Sequence, residues 1–327
     1  MKVLVTGGSG FIGSHVLDRL IADGHEPVNF DLTASAHHPP TEVKAVIGDI
    51  ADRDTAWRAA RGCEAIIHLA AVADVNDVVA DPLRADRINV HGTQMILEAA
   101  RHAGIGRVVY GSTVWVYGNA PVDGVVDEES PLALPAHLYT ATKLAGELYC
   151  RSYTHLYEIG HTVLRFGIPY GPRARLAAVV PAFVDRAKEG KALSIAGDGQ
   201  QTRQFVYVED LAEGIVAGLQ PSAANRTFNL VGDEQTSVRQ IADTVRELVA
   251  EVPIVHGPER PVDVHIARIS GERAARELAW RTQTRFADGL VRYLDWLSAT
   301  SGSPVWETAA STAGTAATVP RQEPAEL

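Results

Sequence analysis

The stretch Thr6-Gly7-Gly8-Ser9-Gly10-Phe11-Ile12-Gly13 decides the fold that the sequence predicts. It follows a β-branched run at Lys2–Thr6 and opens an apolar-periodic, helix-length segment at Phe11–Ala22. Glycines between a first strand and a first helix allow a tight turn, let backbone approach a pyrophosphate, and let the helix pack on the strand. The helix N terminus adds free N–H groups and positive potential. A purely structural glycine turn is the alternative, but this context predicts a dinucleotide-binding loop with Gly7, Gly10, Phe11, Ile12 and Gly13 as cofactor contacts.

An acidic residue follows at the spacing that such a loop requires. Asp31 ends the second predicted strand, Pro27–Asp31, 24 residues after Gly7. A carboxylate there is expected to meet the ribose hydroxyls of the adenosine. Leu32-Thr33-Ala34 supply no cation that would neutralise a 2′-phosphate. The sequence therefore predicts NAD rather than NADP as the cofactor.

Strand-like and helix-like segments alternate up to about Arg165, which predicts βαβ units and a parallel sheet. We expect an α/β fold, a Rossmann-like doubly wound parallel sheet with a smaller α/β C-terminal substrate lobe. Residues 1–165 are predicted to form the NAD-binding domain, which carries the catalytic residues. Residues 166–298 are predicted to form mainly the substrate lobe, and some of their elements can join the sheet of the first domain. Residues 299–327 are predicted to be a disordered tail. The predicted strands are Lys2–Thr6, Pro27–Asp31, Lys44–Gly48, Ala65–Leu69, Arg107–Gly111 and His161–Phe166, and the predicted helices include Phe11–Ala22, Pro82–His102 and Leu138–Tyr157.

Composition excludes several classes of protein. The net charge of the 327 residues is -10, which argues against binding to nucleic acid. No apolar run approaches the length of a membrane span, and the two cysteines, Cys63 and Cys150, form no disulfide framework or zinc motif. The histidines, including His37-His38 and His68, lack metal-ligand spacing, so no metal is predicted. We expect a cytoplasmic enzyme in a reducing compartment.

A tyrosine and a lysine are one helical turn apart at the start of the predicted helix Leu138–Tyr157. Tyr139 and Lys143 stand at i and i+4, so the phenol and the ammonium share a face. A nearby cation stabilises the phenolate that a catalytic base needs. Thr113 lies where the fifth strand ends, the edge at which open α/β sheets bind ligands, so its hydroxyl is a candidate contact for the reacting hydroxyl. The sequence predicts Thr113, Tyr139 and Lys143 as catalytic residues.

Taken together, these motifs resemble those of the sugar-nucleotide epimerase/dehydratase family of extended short-chain dehydrogenases/reductases. The resemblance extends almost from Met1 to Leu297. Within the family, the chain is similar to UDP-glucose 4-epimerases. Its motifs are the glycine loop, Gly48-Asp49-Ile50, His68-Leu69-Ala70-Ala71, Asn89-Val90-His91-Gly92-Thr93, Ser112-Thr113, Tyr139 with Lys143, Tyr170-Gly171-Pro172-Arg173, Gly197-Asp198-Gly199 up to Arg203, and Arg260-Pro261-Val262-Asp263.

The resemblance implies roles for further residues. It implies that Asp49 and Ile50 approach the adenine, and that Tyr139 and Lys143 also contact the nicotinamide ribose. It implies that Arg203 and Arg260 hold the nucleotide diphosphate, and that Leu69, Ala70 and Ala71 line the cofactor. It further implies a UDP- or TDP-hexose as the small-molecule partner and a homodimer formed through the helices that contain Asn89–His102 and Tyr139–Tyr157.

Two departures from the family pattern bear on the reaction. The 4,6-dehydratases of the family place Asp-Glu after the active-site Thr, whereas this chain has Val114-Trp115, which cannot transfer a proton. Ile168 replaces a usual Asn, so a substrate donor is missing, and Trp115 and Ile168 are expected to line the substrate site. We expect 4-epimerisation through a transient 4-keto sugar and enzyme-bound NADH. The alternatives are a nucleotide-sugar ketoreductase or other sugar-nucleotide oxidoreductase, a reductase of a non-nucleotide carbonyl compound, and a non-catalytic NAD-sensing scaffold.

Overall fold

The elements of the chain alternate between strand and helix along its first half and become shorter in its second half. This computed structural model describes residues 1–118, 124–135, 137–258 and 267–301. The strands are β1 (Lys2–Thr6), β2 (Glu26–Asp31), β3 (Lys44–Ile47), β4 (Ala65–His68), β5 (Arg107–Thr113), β6 (Val125–Val126), β7 (Gly160–Phe166), β8 (Ile168–Tyr170), β9 (Leu193–Ala196), β10 (Thr202–Tyr207), β11 (Arg226–Leu230), β12 (Gln235–Ser237), β13 (Ile254–Gly257) and β14 (Arg268–Ile269). The α-helices are α1 (Phe11–Ala22), α2 (Arg53–Ala60), α3 (Val75–Ala80), α4 (Pro82–Asp86), α5 (Gly92–Ala103), α6 (Leu138–Tyr157), α7 (Val179–Lys188), α8 (Val208–Ala217), α9 (Val238–Leu248), α10 (Glu272–Leu278) and α11 (Phe286–Ser301).

A seven-stranded parallel sheet organises the molecule, in the order β11-β7-β5-β4-β1-β2-β3. Its central strands are buried on both faces, as their nearly continuous apolar sequences require. One face packs against α1, α8 and α10, through side chains such as Leu17, Ile215 and Leu278. The opposite face packs against α2, α5 and α6, through side chains such as Ala59, Ile96 and Tyr153. This is the Rossmann-like, doubly wound sheet that the sequence predicts.

Most predicted elements are present with small shifts at their ends. Helices α1 and α6 begin and end at the predicted residues. The six predicted strands are all formed, and the largest shift is in β5, which continues past Gly111 to Thr113. Asp81 caps α4 by accepting a hydrogen bond from Arg84 N at 3.0 Å, and Ser237 and Gln240 form a capping box at the start of α9.

The helical segment predicted over Pro82–His102 is present, but it is not one regular α-helix. Helix α4 gives way to a π-helical turn at Arg87–His91, and only then does α5 begin. The side chain of Asn89 explains the turn, since its amide exchanges hydrogen bonds with the backbone of Val72 at 2.8 and 3.0 Å. A buried side chain that bonds the neighbouring loop competes with regular helix geometry, and π-turns are a common result at functional sites.

The second half of the chain forms a lobe beside the carboxyl edge of the large sheet. Parallel strands β8 and β10 form a three-stranded sheet with β12, and β9 pairs with β13. Helices α7, α9 and α11 cover these strands with a core of their own. Strand β11, however, pairs with β7 in the large sheet, so the second half also completes the first. Helix α11 continues to Ser301, three residues into the predicted tail, whose remaining residues, 302–327, lie outside the described part of the chain.

Candidate active site

The loop between β1 and α1 places backbone at the floor of a long cavity. Gly7 adopts φ +75°, which favours glycine, and a Cβ there would lie 2.8 Å from Ala70 N. A Cβ on Gly13 would collide with the carbonyl oxygen of Gly7, so glycine is required where the helix starts. All five predicted loop contacts, Gly7, Gly10, Phe11, Ile12 and Gly13, line this cavity of about 640 Å³.

One end of the cavity carries two carboxylates. Asp31 ends β2, and its oxygens accept hydrogen bonds from Ser9 N at 3.0 Å and Thr33 N at 3.4 Å. Asp49 pairs with Arg87 at 2.6 Å. Ile50 lies buried beside them, and Asp31, Asp49 and Ile50 all line the cavity, as do Leu69, Ala70 and Ala71. The residues that the sequence predicts as cofactor contacts therefore all line one cavity.

The other end of the cavity carries the predicted reacting groups. Thr113 is the last residue of β5, and Tyr139 lies in the first turn of α6. Strand β5 ends and helix α6 begins at the carboxyl edge of the sheet, so both side chains lie at this edge. Lys143 is buried one turn further along α6, and its Nζ donates to the carbonyl oxygen of Gly111 at 2.9 Å. Thr113, Tyr139 and Lys143 all line the cavity.

Burial shapes the proton affinities of this end. It raises the pKa of Tyr139 to about 12, while the guanidinium of Arg175 acts in the opposite direction. Burial also lowers the pKa of Lys143 to about 8. A base with a raised pKa requires a nearby positive charge to ionise near neutrality. The sequence analysis assigned that positive charge to Lys143 alone and did not identify Arg175. The one sequence feature that points to Arg175 is its position shortly after the motif Tyr170-Gly171-Pro172.

Arg175 also links the two halves of the chain across the cavity. Its Nη1 lies 3.1 Å from Oδ2 of Asp74, the residue that caps α3. Asp77, Arg84 and Phe166 line the cavity as well, and the sequence did not single them out. Asp77 and Arg84 lie on the short helices α3 and α4, whose sequence patterns are weak, and Phe166 has the pattern of an ordinary strand residue.

The predicted substrate-binding residues do not all line the same cavity. Trp115 and Ile168 line the main cavity near Thr113. Arg203 instead lines a small adjoining hollow, together with Ile168 and Val114, and its Nη1 donates to Thr202 O at 2.8 Å. Arg260 lies outside the described residues. Ile168 thus lies between the main cavity and the predicted diphosphate contact.

Neither a metal site nor a membrane span is found in the part of the chain that the structure describes. Within residues 1–118, 124–135, 137–258 and 267–301, no group of three or more His, Cys, Asp or Glu side chains is placed to hold a metal ion. No helix in these ranges is long and apolar enough to cross a bilayer.

Residues 3–231 match the model of a family described as the NAD dependent epimerase/dehydratase family. The chain belongs to this family. It is 34% identical over 310 residues to a UDP-glucose 4-epimerase of Mycolicibacterium smegmatis, covering 90% of this chain and 98% of that protein.

Solved structures agree with this family membership. The crystal structure of the Thermotoga maritima UDP-glucose 4-epimerase with UDP-glucose is similar with a TM-score of 0.87 and 28% identity, over 92% of this chain and 100% of the other. The Thermus thermophilus UDP-glucose 4-epimerase in complex with NAD is similar with a TM-score of 0.84 and 30% identity, over 90% and 98% of the two chains. This member of the family is therefore an NAD-dependent enzyme, as the sequence predicts.

The residues of the cavity fit that cofactor. The glycine loop leaves room for a pyrophosphate at the N terminus of α1, where the first-turn N–H groups have no helical acceptor. Asp31 lines the cavity, and Leu32, Thr33 and Ala34 after it carry no cation for a 2′-phosphate. The fit favours NAD over its phosphorylated form.

Proposed function

We propose that the enzyme epimerises a nucleotide sugar at C4 through a 4-keto sugar. One observation carries the proposal: Thr113, Tyr139 and Lys143 line the same cavity as the glycine loop, Asp31 and Asp49. A hydroxyl, a phenol and a buried ammonium in one place form a proton-transfer site for a sugar hydroxyl. The matched family and its UDP-glucose 4-epimerases support a nucleotide sugar as the substrate.

In this proposal the side chains move one proton and hold one oxygen. Tyr139 takes the proton of the C4 hydroxyl, and Thr113 donates a hydrogen bond to the same oxygen. The positive charge of Arg175 favours the phenolate by lowering the pKa of Tyr139, and in the proposal Lys143, one helical turn away, stabilises the phenolate as well. The glycine loop and Asp31 would hold NAD in the same cavity, where it would supply a hydride acceptor and donor for C4. Tyr139 then gives the proton back to the oxygen, so that no atom is gained or lost.

The turn after Thr113 argues against dehydration. Val114 is buried and Trp115 is half-buried, and neither side chain can carry a proton to a leaving hydroxyl. The remaining proton-bearing side chain of the turn, Tyr117, is held by hydrogen bonds to Asn229 at 2.7 Å and Arg165 at 2.9 Å. Loss of water from C5 and C6 needs an additional acid and base, which this turn does not supply.

The test is to incubate the purified enzyme with UDP-glucose and TDP-glucose in deuterated water and to follow the sugars by NMR. We expect the C4 epimer to form with no solvent deuterium on carbon, because the hydride is recycled within the site. Deuterium on C5, together with a new methyl group at C6, would indicate dehydration instead, because the C5 hydrogen is lost as a proton and is replaced from the solvent. If no nucleotide sugar reacts or reduces the bound NAD, the proposal is wrong.

A nucleotide-sugar ketoreductase is the second candidate, because the same three side chains can protonate a ketone as it is reduced. The two reactions differ in stoichiometry. An epimerase needs only the cofactor bound to it, whereas a ketoreductase consumes one reduced cofactor for each product. Turnover of UDP-glucose beyond one equivalent, with no cofactor added, would favour the epimerase.

We also propose a homodimer through α5 and α6. Helix α6 presents Leu148, Leu156 and Tyr157 to solvent with exposures of 55%, 64% and 43%. Apolar side chains spaced along one helix mark a candidate protein interface. We expect light scattering to give the mass of two chains for the wild type and of one chain for Leu148→Glu.

A further inference from the structure

Five apolar side chains lie in the cavity wall around the reacting groups. Besides Thr113 and Tyr139, this end is lined by Val72, Trp115, Phe166, Ile168 and Pro169, which we call the apolar face. Strand pairing explains why these residues lie together: Thr113 of β5 is in register with Phe166 of β7, and the chain continues from Phe166 into β8. The side chain of Trp115 packs against the ring of His137, with centroids 4.8 Å apart, so the indole is held in place.

Two polar side chains next to the apolar face, Gln204 and Ser112, are engaged within the protein. The Gln204 amide donates to the carbonyl oxygens of Gly232 and Ile269 at 2.7 and 2.9 Å, and its oxygen accepts from Ile269 N at 2.7 Å. The Ser112 hydroxyl donates to Glu147 at 2.6 Å. Using these groups for a substrate hydroxyl would cost existing buried hydrogen bonds.

From this arrangement we infer that the substrate is a 6-deoxyhexose nucleotide, with its C5 methyl group against Ile168 and Trp115. The inference rests on the proposed function and narrows its substrate class. A hydroxymethyl group pressed on the apolar face would lose its hydrogen bonds to water and gain none in return. A methyl group there buries apolar surface at no such cost. The C4 hydroxyl keeps Thr113 and Tyr139 as partners in both cases.

A sugar acid is the charged rival, because Arg175 lines the same cavity. Its guanidinium is already paired with Asp74 at 3.1 Å and is more than half exposed. A uronate carboxylate would therefore compete with an existing ion pair and with water. This is a weaker basis for selection than the five apolar side chains, which need no rearrangement.

The experiment compares three substrates of one nucleotide: TDP-6-deoxyglucose, TDP-glucose and TDP-glucuronate. The readouts are kcat/KM for C4 epimerisation by NMR and reduction of bound NAD by absorbance. An apolar pocket discriminates weakly against an added hydroxyl, so we expect the deoxy sugar to be favoured over TDP-glucose by roughly 10–100-fold. A parallel UDP series separates the effect of the sugar from that of the base.

Ile168→Asn supplies a donor and an acceptor on the apolar face and should reduce this preference at least about tenfold. Ile254→Asn is the matched control, because Ile254 is also a half-buried strand residue but lies in β13, outside the cavity lining. The control should leave the preference unchanged. It also measures the stability cost of the same substitution.

The outcomes separate this inference from the proposed function. If TDP-glucose or TDP-glucuronate reacts as fast as the deoxy sugar or faster, 4-epimerisation stands and the deoxy-sugar inference is overturned. A preference that survives Ile168→Asn unchanged likewise overturns the role of the apolar face. If none of the sugars in either series reacts or reduces the cofactor, both proposals fail.

Discussion

Glu147 and Arg165 form an ion pair with both side chains 1% exposed, and Oε2 lies 2.7 Å from Nη2. A second bond joins Arg165 Nε to Glu147 Oε1 at 3.0 Å, which makes the pair bidentate. The same carboxylate accepts from Ser112, the neighbour of Thr113. The pair therefore connects α6, which carries Tyr139 and Lys143, to the strand ends that carry Thr113.

Removing one partner of this pair should destabilise the protein strongly. Glu147→Ala leaves a buried guanidinium without its carboxylate, and we expect a loss of about 3–5 kcal/mol in the free energy of unfolding, measured with urea. Arg239→Ala is the control, because its pair with Asp243 at 2.9 Å is solvent-exposed and is worth at most about 1 kcal/mol. Equal losses in the two variants would contradict the structural role of the buried pair.

The sequence predicts the large sheet well because its strands are buried on both faces and appear as continuous apolar runs. Helix α6 was predicted from end to end for a similar reason, its long apolar period. The π-turn at Arg87–His91 was not predictable, since its cause is a contact between Asn89 and Val72, 17 residues apart. Periodicity within a segment carries no information about such a contact.

The residues of the candidate site were likewise predictable only where a local sequence motif contains them. Residues in local motifs, such as Gly7, Asp31 and Tyr139, were found from spacing and lie together in one cavity. Arg175 and Glu147 were missed, because an arginine after a turn and a glutamate on an amphipathic helix look like ordinary surface residues. Only the fold shows that one lies beside Tyr139 and that the other is buried.

Gly13 should not tolerate even one added methyl group. Gly13→Ala places Cβ against backbone atoms of Gly7 and Gly8, which cannot move without opening the loop. We expect the variant to retain little NAD on purification and to unfold at a lower temperature than the wild type, as calorimetry would show. Gly106→Ala is the control, because no atom lies within 4 Å of a Cβ at that position. Wild-type cofactor content in Gly13→Ala would show that the loop is looser than its geometry implies.

Tyr139→Phe should remove the chemistry and leave the fold intact. Loss of a positioned acid–base group lowers kcat by roughly 10²–10⁴-fold, whereas the ring that packs in the cavity is kept. Tyr149→Phe, on the same helix but outside the cavity lining, should keep wild-type kcat. The measurements are epimerisation by NMR and the melting temperature. A Tyr139→Phe enzyme with near-normal kcat would remove this tyrosine from the mechanism.

Three buried histidines should make the protein less stable in mild acid. Burial lowers the pKa of His15 to about 4, of His68 to about 3 and of His161 to about 4, from an ordinary value of 6.5. Between pH 6.5 and about 4 the unfolded chain therefore binds protons that the native chain does not, so the free energy of unfolding falls as the pH falls through this window. Above it these groups contribute no slope.

His161→Gln isolates one of these contributions away from the cavity. His161 lies at the start of β7, where its Nδ1 is 2.7 Å from the hydroxyl of Thr154. Removing one such titration should make the slope of unfolding free energy against pH shallower by up to about 1.4 kcal/mol per pH unit in the acid window. Urea unfolding at about pH 7, 6 and 5 measures this slope. If wild type and His161→Gln show the same slope, His161 binds a proton equally well in the native and the unfolded chain. Burial of His161 would then not contribute to the loss of stability in acid.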